Sequence, residues 1–381
     1  MRAMHKDRLS RSGQVESIIA LDLIRGLAAL AVFLCHVRLT SFVEFGALPP
    51  HDKTALTAFF YAITRLGHEA VMVFFVLSGF LVGGALIRRV RAGTFDVIAY
   101  GIERTTRIMV PLVPACLLTI IIAWYFLGYY PSFWLLLINF VGLNGVIGQA
   151  LPGNPPLWTL AYEIWFYISA GALAYLLGSR QPSLMAIFLV FCSVCVFSVL
   201  SAHYVLFWWL GALAVLFLNC KKRGLLAAIG SLILLVGVFG YQMTYDSKPF
   251  GGVSYFSAPI SEAMICCGFT LAIPFLCDPK TSSALRFLRK PAVYLSSISY
   301  TLYLFHYPLN EAIDTLFPKA TSLSWIAMGN FVARALLLLL LVQLCYFAFE
   351  ARTPMVRRFV KSRWHSYRKW QNEEFLAPPL R

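Results

Sequence analysis

Residues 18–42, IIALDLIRGLAALAVFLCHVRLTSF, form an apolar run long enough to cross a hydrocarbon core of about 30 Å, yet they carry Asp22, Arg25 and His36 in their interior. Runs of similar length recur along the whole chain. Of its 381 residues, 59% are hydrophobic and only 13% are charged, about half the charged share of an ordinary soluble domain. No soluble core of this size could receive so much apolar surface. The expected fold is an all-α, polytopic membrane bundle.

Working outward from the first run, spans are expected at about 18–42, 68–88, 108–127, 157–178, 183–201, 203–220, 224–241, 259–277, 293–315 and 323–349, about ten in all. Residues 131–150 are apolar but rich in Gly and Asn. A re-entrant or interfacial piece is expected there, because a full crossing would invert every later loop against the charge bias. Leu151-Pro152-Gly153-Asn154-Pro155-Pro156 then breaks the chain, since proline cannot continue a helix. The basic N-terminus before an apolar run has the outline of a signal peptide. However, the run reaches residue 42, holds Arg25 and His36 and lacks a small-x-small cleavage site, so a retained first span is expected. With no long linker and no stretch left for an appended soluble catalytic domain, one membrane domain is expected.

The net charge of +15 could suggest a polyanion partner, but its distribution argues otherwise. Of the 32 Lys and Arg, 25 fall in Arg2 to Arg11, Arg88 to Arg107, Arg180, Lys221 to Arg223, Lys280 to Lys290 and Arg352 to Arg381. All of these would share one side of the membrane. This is the positive-inside pattern, which places both termini in the cytoplasm. The excess charge thus records topology and contact with anionic lipid headgroups, and no nucleic-acid partner is expected. The nine cysteines lie almost wholly in apolar runs, and Cys192-x-x-Cys195 has no strand–helix context, so they read as packing residues. No metal-ligand spacing occurs, and no metal is expected.

An ionisable side chain inside a bilayer costs a few kcal/mol or more, which marks it for function. Arg25 and His36 are about three turns apart on one helix face, roughly 16 Å along the axis. Asp22, one turn below Arg25, is placed to pair with it. Arg25 by itself could equally reach the headgroups, and His36 by itself could be a packing histidine. Their shared face favours a polar cavity, in which an imidazole suits general-base work. Glu163, in Leu157-Trp158-Thr159-Leu160-Ala161-Tyr162-Glu163-Ile164-Trp165-Phe166-Tyr167, sits about two turns into a span that starts outside. That is a depth comparable to His36, where a carboxylate could fix the imidazole tautomer.

Arg104 and Arg107, one turn apart at the inner mouth of the third span, form a guanidinium pair suited to phosphate. An ordinary run of positive charge at a helix start would look the same. Ser299, Tyr303 and His306 share a face at i, i+4 and i+7; helix packing suits the first two, and His306 stays open. Ser78-Gly79 permits close helix approach.

Taken together, these stretches resemble the bacterial membrane acyltransferase-3 family, which includes O-acetylases of O-antigen, exopolysaccharide and Nod factors. The resemblance lies in Asp22, Arg25, Gly26, Ala28, Ala29 and His36; in Phe74 to Phe80; in Arg104, Arg107, Ile108 and, with one extra residue, Pro111; in Leu157 to Tyr167; and in Ser299 to Pro308. It covers about 18–350, giving a basic tail at 1–17, an acyltransferase domain at 18–350 and a basic tail at 351–381. The stretch Gly67-His68-Glu69-Ala70-Val71-Met72 departs from the family pattern.

The resemblance implies acyl-CoA, usually acetyl-CoA, as donor, with Arg104 and Arg107 on its phosphates and the pantetheine arm running past Arg25 towards His36. His36, oriented by Glu163, would deprotonate a hydroxyl of a surface carbohydrate or lipid-linked glycan arriving from outside. Succinyl or longer acyl donors and lipid or small-molecule acceptors remain within this reading. A secondary transporter would use similar buried ions, but the paired, broken helices related by internal repeats are not seen in the sequence. A structural scaffold would not need His, Arg and Glu at related depths.

Overall fold

The computed structural model describes residues 18–376 apart from 180, 182 and 245–256. The tail expected at 1–17, and with it Arg180 and Lys248, lies outside the described residues. Among the described residues every regular element is helical. Helix α1 (Ile19–Ser41) is followed by α2 (Ala55–Thr64), which Thr54 caps by accepting from the Thr57 N–H. After it come α3 (Gly67–Ser78), one π turn (Gly79–Gly83) and α4 (Gly84–Arg91).

Helix α5 (Val97–Leu127) begins earlier than expected. Asp96 caps it, accepting from the N–H groups of Ile98 and Ala99 at 2.9 and 3.0 Å, and no Gly or Pro follows before Arg104 except Gly101. Arg104 and Arg107 therefore ride on the same rigid helix as the apolar run rather than on a loop. Helix α6 (Phe133–Phe140) has only 8 residues, and turns built on Gly142 and Gly145 follow it. At about 1.5 Å per residue it cannot cross the core, in keeping with a re-entrant or interfacial segment.

The remaining helices are α7 (Trp158–Gly178), α8 (Leu184–Val199), α9 (His203–Leu213), α10 (Arg223–Met243), α11 (Ala258–Leu276), the short α12 (Pro279–Ala284), α13 (Arg289–Ala312), α14 (Trp325–Ala348) and α15 (Thr353–Leu376). Among the described residues, seven helical segments are long and apolar enough to cross a membrane: Ile19–Ser41, Ala55–Arg91, Val97–Phe126, Pro155–Gly178, Arg223–Met243, Ala258–Leu276 and Trp325–Tyr367. Helices α8 and α9 are shorter and apolar. Helix α13, with 24 residues, is as long as the others but more polar, because it carries the serines, tyrosines and histidine described below. The chain is an all-α polytopic membrane bundle.

Two contacts position the site. Helices α1 and α13 run parallel and in register: Arg25 reaches Ser296, His36 reaches His306, and Asn310 reaches Thr40, at sequence separations of 271, 270 and 270 residues. A constant offset along both helices requires that they point the same way. Helices α3 and α9 cross where Gly79 meets the Trp208 carbonyl and Gly211 meets the Val76 carbonyl; a Cβ at either position would fall 1.9 or 2.1 Å from that oxygen. The Ser78-Gly79 step does what its small side chains allow.

Candidate active site

The register of α1 and α13 puts two histidines face to face. His36 Nδ1 lies 2.9 Å from His306 Nε2, with ring centroids 5.0 Å apart. His306 Nδ1 lies 2.7 Å from the Leu302 carbonyl, one turn back on its own helix. A carbonyl oxygen only accepts, so His306 carries its proton on Nδ1 and, when neutral, presents a lone pair on Nε2. That lone pair accepts the Nδ1–H of His36. With both rings neutral, His36 Nε2 is then left with its own lone pair. His306 is 1% exposed, while His36 is half-buried, so the free nitrogen belongs to the more accessible ring.

One helical stretch below, Arg25 donates to Ser296 Oγ at 3.2 Å, and Ser296 Oγ–H donates to Asp22 at 3.0 Å. The expected direct Asp22–Arg25 pair is replaced by a bridge through α13. A hydroxyl both accepts and donates, so Ser296 bridges the two ions, with Asp22 Oδ2 left buried and unbonded and Arg25 lining the interior cavity.

Arg25, Arg104, Arg107 and Glu163 all line one cavity of about 320 Å³ between α1, α3, α5, α7 and α13. Ser78, Thr159, Tyr167, Ser299, Tyr300 and Tyr303 add hydroxyls, and Phe74, Phe75, Leu77, Leu81 and Val82 make the apolar wall. Arg104 stacks over the Tyr167 ring at 5.5 Å, and its Nε is buried without a hydrogen-bond partner. Arg107 is committed: it donates to Glu350 at 2.6 Å and lies over the Tyr300 ring. Glu350 also accepts from the backbone N–H and the hydroxyl of Thr301, at 2.9 and 2.5 Å. The guanidinium pair is thus asymmetric, one arm clamped and one free.

The expected pairing of His36 with Glu163 does not form. Glu163 accepts the Tyr167 hydroxyl at 2.6 Å, and Tyr167 lies 3.3 Å from Ser78 Oγ. Similar depth, counted from the ends of two helices, says nothing about azimuth. His36 is on the face of α1 that meets α13, whereas Glu163 looks into the cavity with the arginines. His36 does not line that cavity. Tyr303 joins the two regions: it lines the cavity, its ring is 6.2 Å from His306, and its hydroxyl accepts from Thr159 at 2.7 Å.

Sequence reasoning left His306 open and missed Ser296, Tyr167 and Glu350. Helical spacing marked His306; Glu350 carried a weaker signal, as a lone carboxylate ending a long apolar helix. Ser296 had none, because a hydroxyl in a bundle is most often a packing residue, and Tyr167, at the end of the Leu157 to Tyr167 stretch, reads from sequence as an interfacial aromatic.

A second polar cluster joins α3, α9 and α11. Glu262, 4% exposed, is hydrogen-bonded to His68 at 2.7 Å and to His203 at 3.0 Å, and accepts the Tyr204 hydroxyl at 3.3 Å. No group of three or more His, Cys, Asp or Glu among the described residues has the geometry to hold a metal ion.

The imidazole pair and the cationic, hydroxyl-lined cavity thus lie within one polytopic membrane bundle. The family model for an acyltransferase domain (Acyl_transf_3) matches residues 18–350, nearly the whole chain. The chain belongs to this membrane acyltransferase family. No curated protein and no solved structure gives a significant match.

Proposed function

We propose that this protein is a multi-pass inner-membrane O-acyltransferase. In this reading it moves an acyl group, acetyl in the first instance, from cytoplasmic acyl-CoA to a hydroxyl of a surface or extracytoplasmic carbohydrate. The observation that carries it is the His36–His306 pair, which leaves the lone pair of His36 Nε2 free beside a cavity rich in guanidinium groups. Both termini face the cytoplasm, as the distribution of Lys and Arg indicates.

Arg104, with no hydrogen-bond partner among the described residues, holds donor phosphates at the inner end, and Arg107 holds its helix and adds charge. Arg25 guides the arm of the donor, and the Glu163–Tyr167 pair tempers the positive field so that donor release stays possible. His36 Nε2 takes the proton from the acceptor hydroxyl as its oxygen attacks the thioester carbon. The new C–O bond forms, the C–S bond breaks, and the departing thiolate takes the proton back from the imidazolium. His306 holds the His36 tautomer and is the positioning residue that Glu163 was expected to be. No covalent intermediate and no metal are needed.

The deciding experiment compares surface glycans by mass spectrometry from cells with wild type, without the gene, and with His36→Ala. Loss of an acyl mass increment in the last two, with the variant inserted in the membrane at normal levels, is the expected result. Wild-type-like acylation by His36→Ala would refute the assignment of the base.

A further inference from the structure

Arg334 of α14 is fully buried, yet it does not line the cavity and has no task in the proposed reaction. Its hydrogen bonds among the described residues go to the outer end of α13 and the turn beyond it. Nε donates to Asn310 Oδ1 at 2.7 Å, Nη2 to the Asn310 carbonyl at 3.2 Å and to Asp314 at 2.6 Å, and Nη1 to the Phe317 carbonyl at 3.5 Å. Burying an ion is a poor way to gain stability, because an apolar side chain of like volume would often serve as well. What a guanidinium adds is direction.

A guanidinium only donates, so the Asn310 amide turns its oxygen to Arg334 and its nitrogen away. That nitrogen donates to Thr40 Oγ1 on α1 at 3.1 Å, and Asn310, like Arg334, is fully buried. Thr40 accepts there and gives its own proton back along α1, to the carbonyl of Val37 at 3.0 Å or of His36 at 3.2 Å. The donors therefore run in one direction, from α14 through α13 into the turn of α1 that carries His36. With the amide reversed, two N–H groups would face the guanidinium and the link would be lost.

Asn310 follows His306 by one turn and Thr40 follows His36 by one turn, so this contact sits about 6 Å beyond the imidazole pair. The tie between Arg25 and Ser296 lies about 15 Å away on the inner side. The nearer tie has the greater hold on how the two rings meet. We infer that Arg334 is a positioning residue for the base: through the Asn310 amide and Thr40 it holds α1 against α13 in the rotation that brings His36 Nδ1 to His306 Nε2. This rests on the general-base reading of His36 above.

Variants are placed in native membranes that lack the wild-type copy, and release of thiol from acetyl-CoA gives kcat and KM per mole of inserted protein. Thr40→Val removes the hydroxyl that Asn310 reaches, and Arg334→Met removes the guanidinium but keeps a long side chain. Each should lower kcat about tenfold, since a small misplacement of a reacting group is costly, and leave the acetyl-CoA KM within about twofold. Thr40→Ser keeps the hydroxyl and should recover most of that loss. In a His306→Leu background neither Thr40→Val nor Arg334→Met should lower kcat further, because the pair they serve is gone. Wild-type kcat in Thr40→Val, an equal loss in both backgrounds, or a loss that appears in KM would overturn the inference while the general-base reading stands. Should Arg334→Met fail to insert, Thr40→Val and Thr40→Ser decide by themselves. Wild-type kcat in His36→Ala would instead overturn the general-base reading, and the inference with it.

Discussion

Replacing His306 is the sharpest test of the imidazole pair. In His306→Leu, His36 loses the acceptor 2.9 Å from its Nδ1, so nothing on α13 selects the tautomer with a bare Nε2. General-base catalysis contributes about 10²- to 10⁴-fold. Misplacing that base should forfeit most of the lower part of this range, a fall in kcat of about 10²- to 10³-fold, or roughly 2.7–4 kcal/mol of barrier. Stability should change far less. Leu is of similar size, and the Leu302 carbonyl keeps its place in the helix ladder, so the net loss is about 1 kcal/mol per hydrogen bond removed. His306→Gln provides the control, because its amide oxygen can accept the same proton from His36; it should stay within about tenfold of wild type. The assay is release of free CoA thiol in membranes containing the acceptor, with thermal unfolding measured in parallel. Wild-type kcat in His306→Leu would refute the positioning role, as would a Gln variant as inactive as the Leu variant.

Three further outcomes follow from the geometry. Arg104→Ala should raise the donor KM about tenfold with little change in unfolding temperature, whereas Arg107→Ala strands Glu350, 4% exposed, and should cost about 3 kcal/mol of stability as well; equal stability of the two variants in detergent melts would contradict this asymmetry. Gly79→Ala puts a methyl 1.9 Å from the Trp208 carbonyl and must push α3 from α9, lowering stability by about 1–3 kcal/mol, while Gly46→Ala, with open space around it, should have no such effect on the same melt. At the α11–α12 junction, the Lys280 backbone N–H at 2.8 Å, and then Arg223 at 2.6 Å, hold the Asp278 carboxyl below its ordinary range. A depressed folded pKa gives stability that is complete above the unfolded value of about 3.9 and is lost as pH falls through the folded one. Hydrogen-exchange protection of 278–284 should therefore hold from pH 7 down to about 4 and fall below that; loss already between pH 7 and 5 would count against the clamp.

The fold was largely legible because the bilayer reduces it to length, hydropathy and charge bias, and each of these is a property of one segment at a time. The short α6 and the proline break before α7 were legible for the same reason. The site was legible only in part. His36, Arg25, Arg104, Arg107 and Glu163 announce themselves as costly residues in apolar surroundings, and four of the five do share a cavity. What a single helix cannot disclose is its rotation against the others. Depth suggested Glu163 for His36, while rotation gave it His306; proximity in sequence suggested Asp22 for Arg25, while packing inserted Ser296. The beginning of α5 was misplaced because its first turns are polar on one side, where a helix leaves the membrane but does not end.

The in-register pairing of α1 with α13 has a consequence for how the protein is made. Asp22, Arg25 and His36 enter with the first helix, but Ser296 and His306 are synthesised some 270 residues later. At about 5–20 residues per second, that is a delay of roughly 15–50 s. Through this interval Asp22, Arg25 and His36 wait beside lipid or the insertion machinery without their partners. The His36 imidazole therefore meets His306 only as one of the last events of biogenesis, and a nascent or truncated chain lacking α13 carries His36 without that partner.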